Sequence, residues 1–138
     1  MFRYILFFLM LAPSYSFACS CLHQPLSKHV AEAKNIYVGV LTSSKIIKAK
    51  SDKEWPYVEG TISVETVIKG SPQKIKKIRT GFGGGDCGIP MTIGRAYVIF
   101  FEKEQYHIGS CGASGQIQRY QEKEYVENLK GLVSEQKP

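Results

Sequence analysis

Apolar and polar residues change their spacing several times along this chain, and each change marks an element. Leu26, Val30 and Ala33 recur at helical spacing and predict a short helix over Leu26 to Lys34, with His23-Gln24-Pro25 as the turn before it. Asn35 then opens a strand, IYVGVLTSSKII, whose interior Gly39 points to a bulge or a close backbone approach. KAKSDKEWP follows as a polar, charged loop. YVEGTISVETVIKG alternates, with Val58, Gly60, Ile62, Val64 and Thr66 against Glu59, Thr61, Ser63 and Glu65. That period of two is the mark of a half-buried strand.

After a turn at KGSP, QKIKKIRTGF reads as a third strand carrying Lys74, Lys76, Lys77 and Arg79. GGGDCGIP reads as a flexible loop and RAYVIFFEK as an apolar strand. A turn at Lys103 to Gln105 leads into a short strand within QYHIGSCG. The tail from Gln118 to Leu132 places Tyr125, Val126, Leu129 and Leu132 at helical spacing, an amphipathic helix to pack on the sheet. Strand after strand with two short helices predicts a mainly β fold, a small closed or nearly closed barrel. No internal repeat or low-complexity segment interrupts it.

The first residues, MFRYILFFLMLAPSYSFA, do not belong to that pattern. Arg3, the apolar run Ile5 to Ala12 and the small-x-small end Ser16-Phe17-Ala18 read as a secretory signal peptide, residues 1–18, cut after Ala18. The apolar run falls well short of the roughly 20 residues of a membrane-spanning helix, so no transmembrane segment is expected in the mature chain. A lipidated Cys19 would want an aliphatic residue three positions earlier, where Ser16 stands. The remainder, residues 19–138, is the length of one small domain, secreted to the periplasm or the extracellular space.

The charge of +6 is a moderate basic surplus. It allows a polyanionic surface as a partner through Lys74, Lys76, Lys77 and Arg79, although cations on an edge strand also keep sheets from pairing edge to edge. Nucleic acid is not expected as a partner. Nothing in the chain assembles a catalytic set. His23, His29 and His107 are scattered, no nucleophile-elbow Ser or His-x-x-x-His occurs, and Gly83-Gly84-Gly85 lacks the Lys-Ser/Thr of a phosphate loop. The chain is read as a non-enzyme with no cofactor of its own.

Four cysteines remain: Cys19, Cys21, Cys87 and Cys111. An even count in an exported chain predicts disulfides rather than a redox or metal site. Pairing Cys19 with Cys21 would close a strained ring. The other two pairings both tie the N-terminal pair to Cys87 and Cys111, and each long loop would contribute roughly 4 kcal/mol on the chain-entropy account.

Cys19-Ser20-Cys21 at the mature N-terminus, then Pro25, a short helix and IYVGVLTS, resembles the start of the tissue inhibitors of metalloproteinases. VETVIKG, IRTGFGGGDCGIPMTIGRAYVIFF and GSC are similar to that family's inhibitory domain and to the wider netrin-like group, over about Cys19 to Cys111. The resemblance implies a five-stranded barrel of the oligonucleotide/oligosaccharide-binding type, with the pairings Cys19–Cys87 and Cys21–Cys111. It implies a secreted inhibitor of zinc metalloproteases. The α-amine nitrogen and carbonyl oxygen of Cys19 would chelate the zinc of the target protease and displace its water. Ser20 would enter the specificity pocket, Cys21 and Leu22 would extend the wedge, and Asp86, Cys87 and Gly88 would form the second contact segment. The alternative is a non-inhibitory module on the same barrel, contacting a polyanion or a protein. The resemblance covers that family's inhibitory domain alone, and its third disulfide has no counterpart among these four cysteines.

Overall fold

The computed structural model describes residues 19–102 and 106–136. The signal peptide reading and the turn expected at Lys103 to Gln105 lie outside the described residues. Helix α1 (Leu26–Glu32) is followed by strands β1 (Asn35–Ile47), β2 (Tyr57–Lys69), β3 (Ile75–Thr80), β4 (Ala96–Phe101) and β5 (Gly115–Ile117), and then by helix α2 (Glu122–Glu135). The strands form one antiparallel sheet in the order β3-β2-β1-β4-β5.

The sheet is open. Its edges are β3 and β5, and no ladder joins them among the described residues, which corrects the expected closed barrel. A single parallel bridge, Arg79 to His107, brings β3 towards the segment that follows β4. The Arg79 N–H donates to Tyr106 and the Ile108 N–H to Arg79. QYHIGSCG therefore supplies a bridge and not the fifth strand, which lies at Gly115–Ile117.

Apolar side chains fill both faces of β1 and β4. Tyr37, Leu41, Ile62, Ile78, Tyr97, Ile99 and Phe101 gather on one side with Ile89 and Ile108. Ile36, Val38, Val98 and Phe100 gather on the other with Val30 of α1 and Leu129 of α2. This is why all six residues of β4 are buried and why its sequence does not alternate. Gly39 fits the prediction made for it. The β1–β2 register shifts between Val38 and Gly39, and a Cβ there would collide with the Ser63 carbonyl oxygen. The helices are laced to this body at their ends. Lys69 Nζ donates to the Val30 carbonyl at 2.8 Å, where a cation complements the helix C-terminus. Arg119 grips Glu65 of β2 with both terminal guanidinium nitrogens, at 2.8 and 3.1 Å.

Candidate functional site

The segment from Cys19 to Pro25 has no regular secondary structure, so its position depends on what it is tied to. Two disulfides tie it. Cys19 is bonded to Cys87 across 68 residues and Cys21 to Cys111 across 90, the two pairings that the resemblance implies. No free cysteine is left among the described residues. The Ser110 N–H donates to the Cys87 carbonyl at 2.8 Å and joins the two anchor loops. Three stretches of chain thus meet: 19–22, 82–88 and 109–111.

Ser20, Cys21 and Leu22 are exposed, and Leu22 is 84% exposed although it is large and apolar. Cys19 is half-buried at the base of this ridge. Phe82, at the edge of the second segment, is also exposed. Sequence reasoning did not single it out; an aromatic residue beside a glycine run was the available signal.

The glycine-rich loop is held by Asp86. Its Oδ2 accepts the Phe82 N–H at 2.6 Å, and its Oδ1 accepts those of Gly83 at 2.8 Å and Gly88 at 3.2 Å. The hydrogen bond from Phe82 is the chief reason the Asp86 carboxyl is held below the usual aspartate range. Both oxygens are thus engaged within the loop, so Asp86 serves the second segment as its scaffold. Cys87 follows with φ of 55°, a left-handed conformation that costs a non-glycine residue about 1 kcal/mol or more. Gly88 lies so close to the Gly81 backbone that no Cβ could be fitted. Behind the loop, the Ile89 N–H donates to Thr80 Oγ1 at 2.9 Å. The buried Tyr97 hydroxyl accepts the Thr92 N–H and donates to the Pro90 carbonyl, both at 2.8 Å. The second segment is therefore built down onto β3 and β4.

The basic strand sends its cations to both faces of the sheet, and Lys76, Lys77 and Arg79 border one recess at its edge with Glu59 and Tyr106. Side chains alternate across β3, so Lys76 lies on the core side, over the rings of Phe101 and Tyr106 at 4.9 and 4.7 Å. Lys77 and Arg79 lie on the opposite face with Lys45 of β1. The ladder pairs Glu59 with Lys45 on one side and with Arg79 on the other. Glu59 Oε1 is 3.2 Å from Lys45 Nζ and 3.7 Å from Lys77 Nζ. The hydrogen bond with Lys45 leads the causes that lower the Glu59 pKa, with the charges of Lys77 and Arg79 adding to it. Alternation had put Glu59 on the solvent face; these cations cover it to 9% exposure.

His23 is exposed beside the ridge, His29 is half-buried in α1, and His107 is exposed in the bridge to β3. Among the described residues no three His, Cys, Asp or Glu side chains converge to hold a metal, and no helix is long and apolar enough to cross a membrane. No family model matches this chain, and no curated protein matches it at a significant level.

Proposed function

We propose that the chain, once cut after Ala18, inhibits zinc endopeptidases by laying Cys19 on the catalytic zinc. A main-chain amine and the carbonyl of the same residue close a five-membered chelate. A catalytic zinc keeps a coordination position open for its attacking water, and the chelate would take it. The observation that carries the reading is the clamping of an irregular, exposed N-terminal segment by two disulfides onto a loop that Asp86 makes rigid. A wedge ordered before binding loses little conformational freedom when it docks. Ser20 and Leu22 are exposed on it, and Cys87 with its neighbour Gly88 is fastened beside Cys19.

The same reading takes the sheet as a netrin-like barrel left open between β3 and β5. Support comes from the apolar cluster to which β1, β2, β3 and β4 all contribute and from the Arg79–His107 bridge, which joins β3 to the segment after β4.

The test is a titration of protein whose N-terminus has been sequenced as Cys19 against a panel of zinc endopeptidases, beside a form with one alanine added before Cys19. Stoichiometric inhibition by the first form alone is expected, because the added residue turns the chelating amine into an amide. Equal inhibition by both forms overturns the chelation. Silence across the panel from correctly bonded protein overturns inhibition and leaves a binding module on the same sheet. Inhibition is also expected to weaken below about pH 7.7–8.0, where an α-amine gains a proton and loses its lone pair.

A further inference from the structure

Strand β1 outruns β4. Their ladder ends at the Val40–Ala96 pair, while β1 stays paired with β2 as far as Ile47 and Tyr57. That leaves an arm of about 20 Å beyond the last β4 rung. β3 backs the arm along one edge up to the Val58–Thr80 pair, so it is a stiff extension of the sheet. The loop that closes it, residues 48–56, is exposed at every position.

Trp55, the only tryptophan of the chain, stands in that loop at 88% exposure. Ile46 is 64% exposed and pairs with Val58, which follows Trp55 within about 10 Å of chain. Both large apolar side chains thus belong to the end of the arm. The loop also carries Lys48, Lys50 and Lys53, which make no ion pair among the described residues. Of its acids, Asp52 and Glu54, the second turns back to accept the Lys50 N–H at 3.2 Å. Behind the loop, Lys45 and Lys77 share the one carboxylate of Glu59, so the positive surplus runs on down the arm.

We propose that the end of this arm docks on an anionic lipid bilayer, with Trp55 and Ile46 entering the headgroup layer and Lys48, Lys50 and Lys53 meeting lipid phosphates. Indole rings settle at the bilayer–water interface, where an apolar body and an N–H donor are both satisfied. Lysines reach back to the headgroups along their own apolar stems. The apolar groups need to enter only about 5–10 Å, a depth that a loop tip supplies. Each lysine near an anionic surface adds about fivefold to the affinity. Other partners fit worse. Residues 48–54 are all Lys, Ala, Ser, Asp or Glu, the types in which protein–protein interfaces are depleted. A soluble polyanion would engage the lysines and leave the indole in water.

The experiment follows Trp55 emission in protein that begins at Cys19 with both disulfides formed, and measures sedimentation with vesicles in parallel. The vesicles are phosphatidylglycerol mixed with phosphatidylcholine, or phosphatidylcholine alone. A heparin oligosaccharide is the soluble polyanion. A blue shift and co-sedimentation are expected with the anionic vesicles at about 0.05 M salt, weakened about tenfold at about 0.5 M. Trp55→Ala, and Lys48→Ala, Lys50→Ala and Lys53→Ala together, change exposed positions only. Each variant is expected to cut sedimentation about tenfold or more at an unchanged thermal midpoint. The proposal is overturned if anionic vesicles neither shift the emission nor carry the protein down. It is equally overturned if phosphatidylcholine alone binds as well, or if binding survives either set of substitutions. A response to heparin without one to vesicles overturns it in favour of a soluble polyanion. No protease enters this readout, so the bilayer contact and the inhibition stand or fall separately.

Discussion

The carboxylate of Asp86 accepts the main-chain N–H of Phe82 at 2.6 Å, four residues back along its own loop. With the Gly83 and Gly88 bonds this turns a glycine-rich stretch into a fixed platform beside Cys19. Asp86→Ala is expected to release it. The amides of Phe82, Gly83 and Gly88 should exchange faster with solvent while those of β1 and β4 keep their protection, and inhibition of a sensitive protease should weaken. Loss of the platform with no change in inhibition would show that the second segment is not a contact.

Glu59 makes the sheet sensitive to acid. Its folded pKa is lowered by the Lys45 hydrogen bond and the nearby cations. The stability it contributes is therefore complete above the ordinary glutamate pKa of about 4.3 and is lost as pH falls through the lower folded value. Glu59→Gln is expected to lower the thermal midpoint at pH 7 and to flatten its fall between about pH 5 and 3. Parallel acid profiles for the two proteins would show that the cation cage is energetically idle.

Tyr97 links the core to Pro90 and Thr92, just beyond the second segment, through one hydroxyl. Tyr97→Phe keeps the ring and leaves the Thr92 N–H and the Pro90 carbonyl without this partner, at a cost of about 1–3 kcal/mol. Urea unfolding at unchanged slope would measure it. A loss below about 0.5 kcal/mol would mean that water replaces the phenol without penalty.

Removing the longer bridge with Cys21→Ser and Cys111→Ser together opens a loop of 90 residues. The chain-entropy account puts the loss at roughly 4 kcal/mol. The double variant should unfold at markedly lower denaturant, and the stretch from Ser20 to Pro25, still held at Cys19, should become a more protease-sensitive loop. An unchanged midpoint would place the value of this bridge in positioning alone.

Much of the fold was legible because burial on one face leaves a period in the sequence. β2 alternates because one side meets solvent, α2 repeats its apolar residues every three to four positions, and Gly39 marked the place where β1 approaches Ser63. β5 was not legible. Gly115–Ile117 is too short to carry a period, while Tyr106 to Ile108 looked like a strand and makes only one bridge. The role of Asp86 was missed because loop composition does not reveal which backbone amides converge on a side chain. The Lys45–Glu59–Arg79 row was missed because it depends on register between strands distant in sequence. At the candidate site the cysteine pairs came from family resemblance, since spacing alone left two arrangements open.

Among the described residues both apolar clusters are assembled without a single cysteine. All four thiols are spent on fastening the first few residues of the ridge and its two anchor loops. Oxidation thus completes the working surface on a sheet built by other residues. In reduced protein the ridge is unfastened from both anchor loops, while the two clusters keep every one of their members.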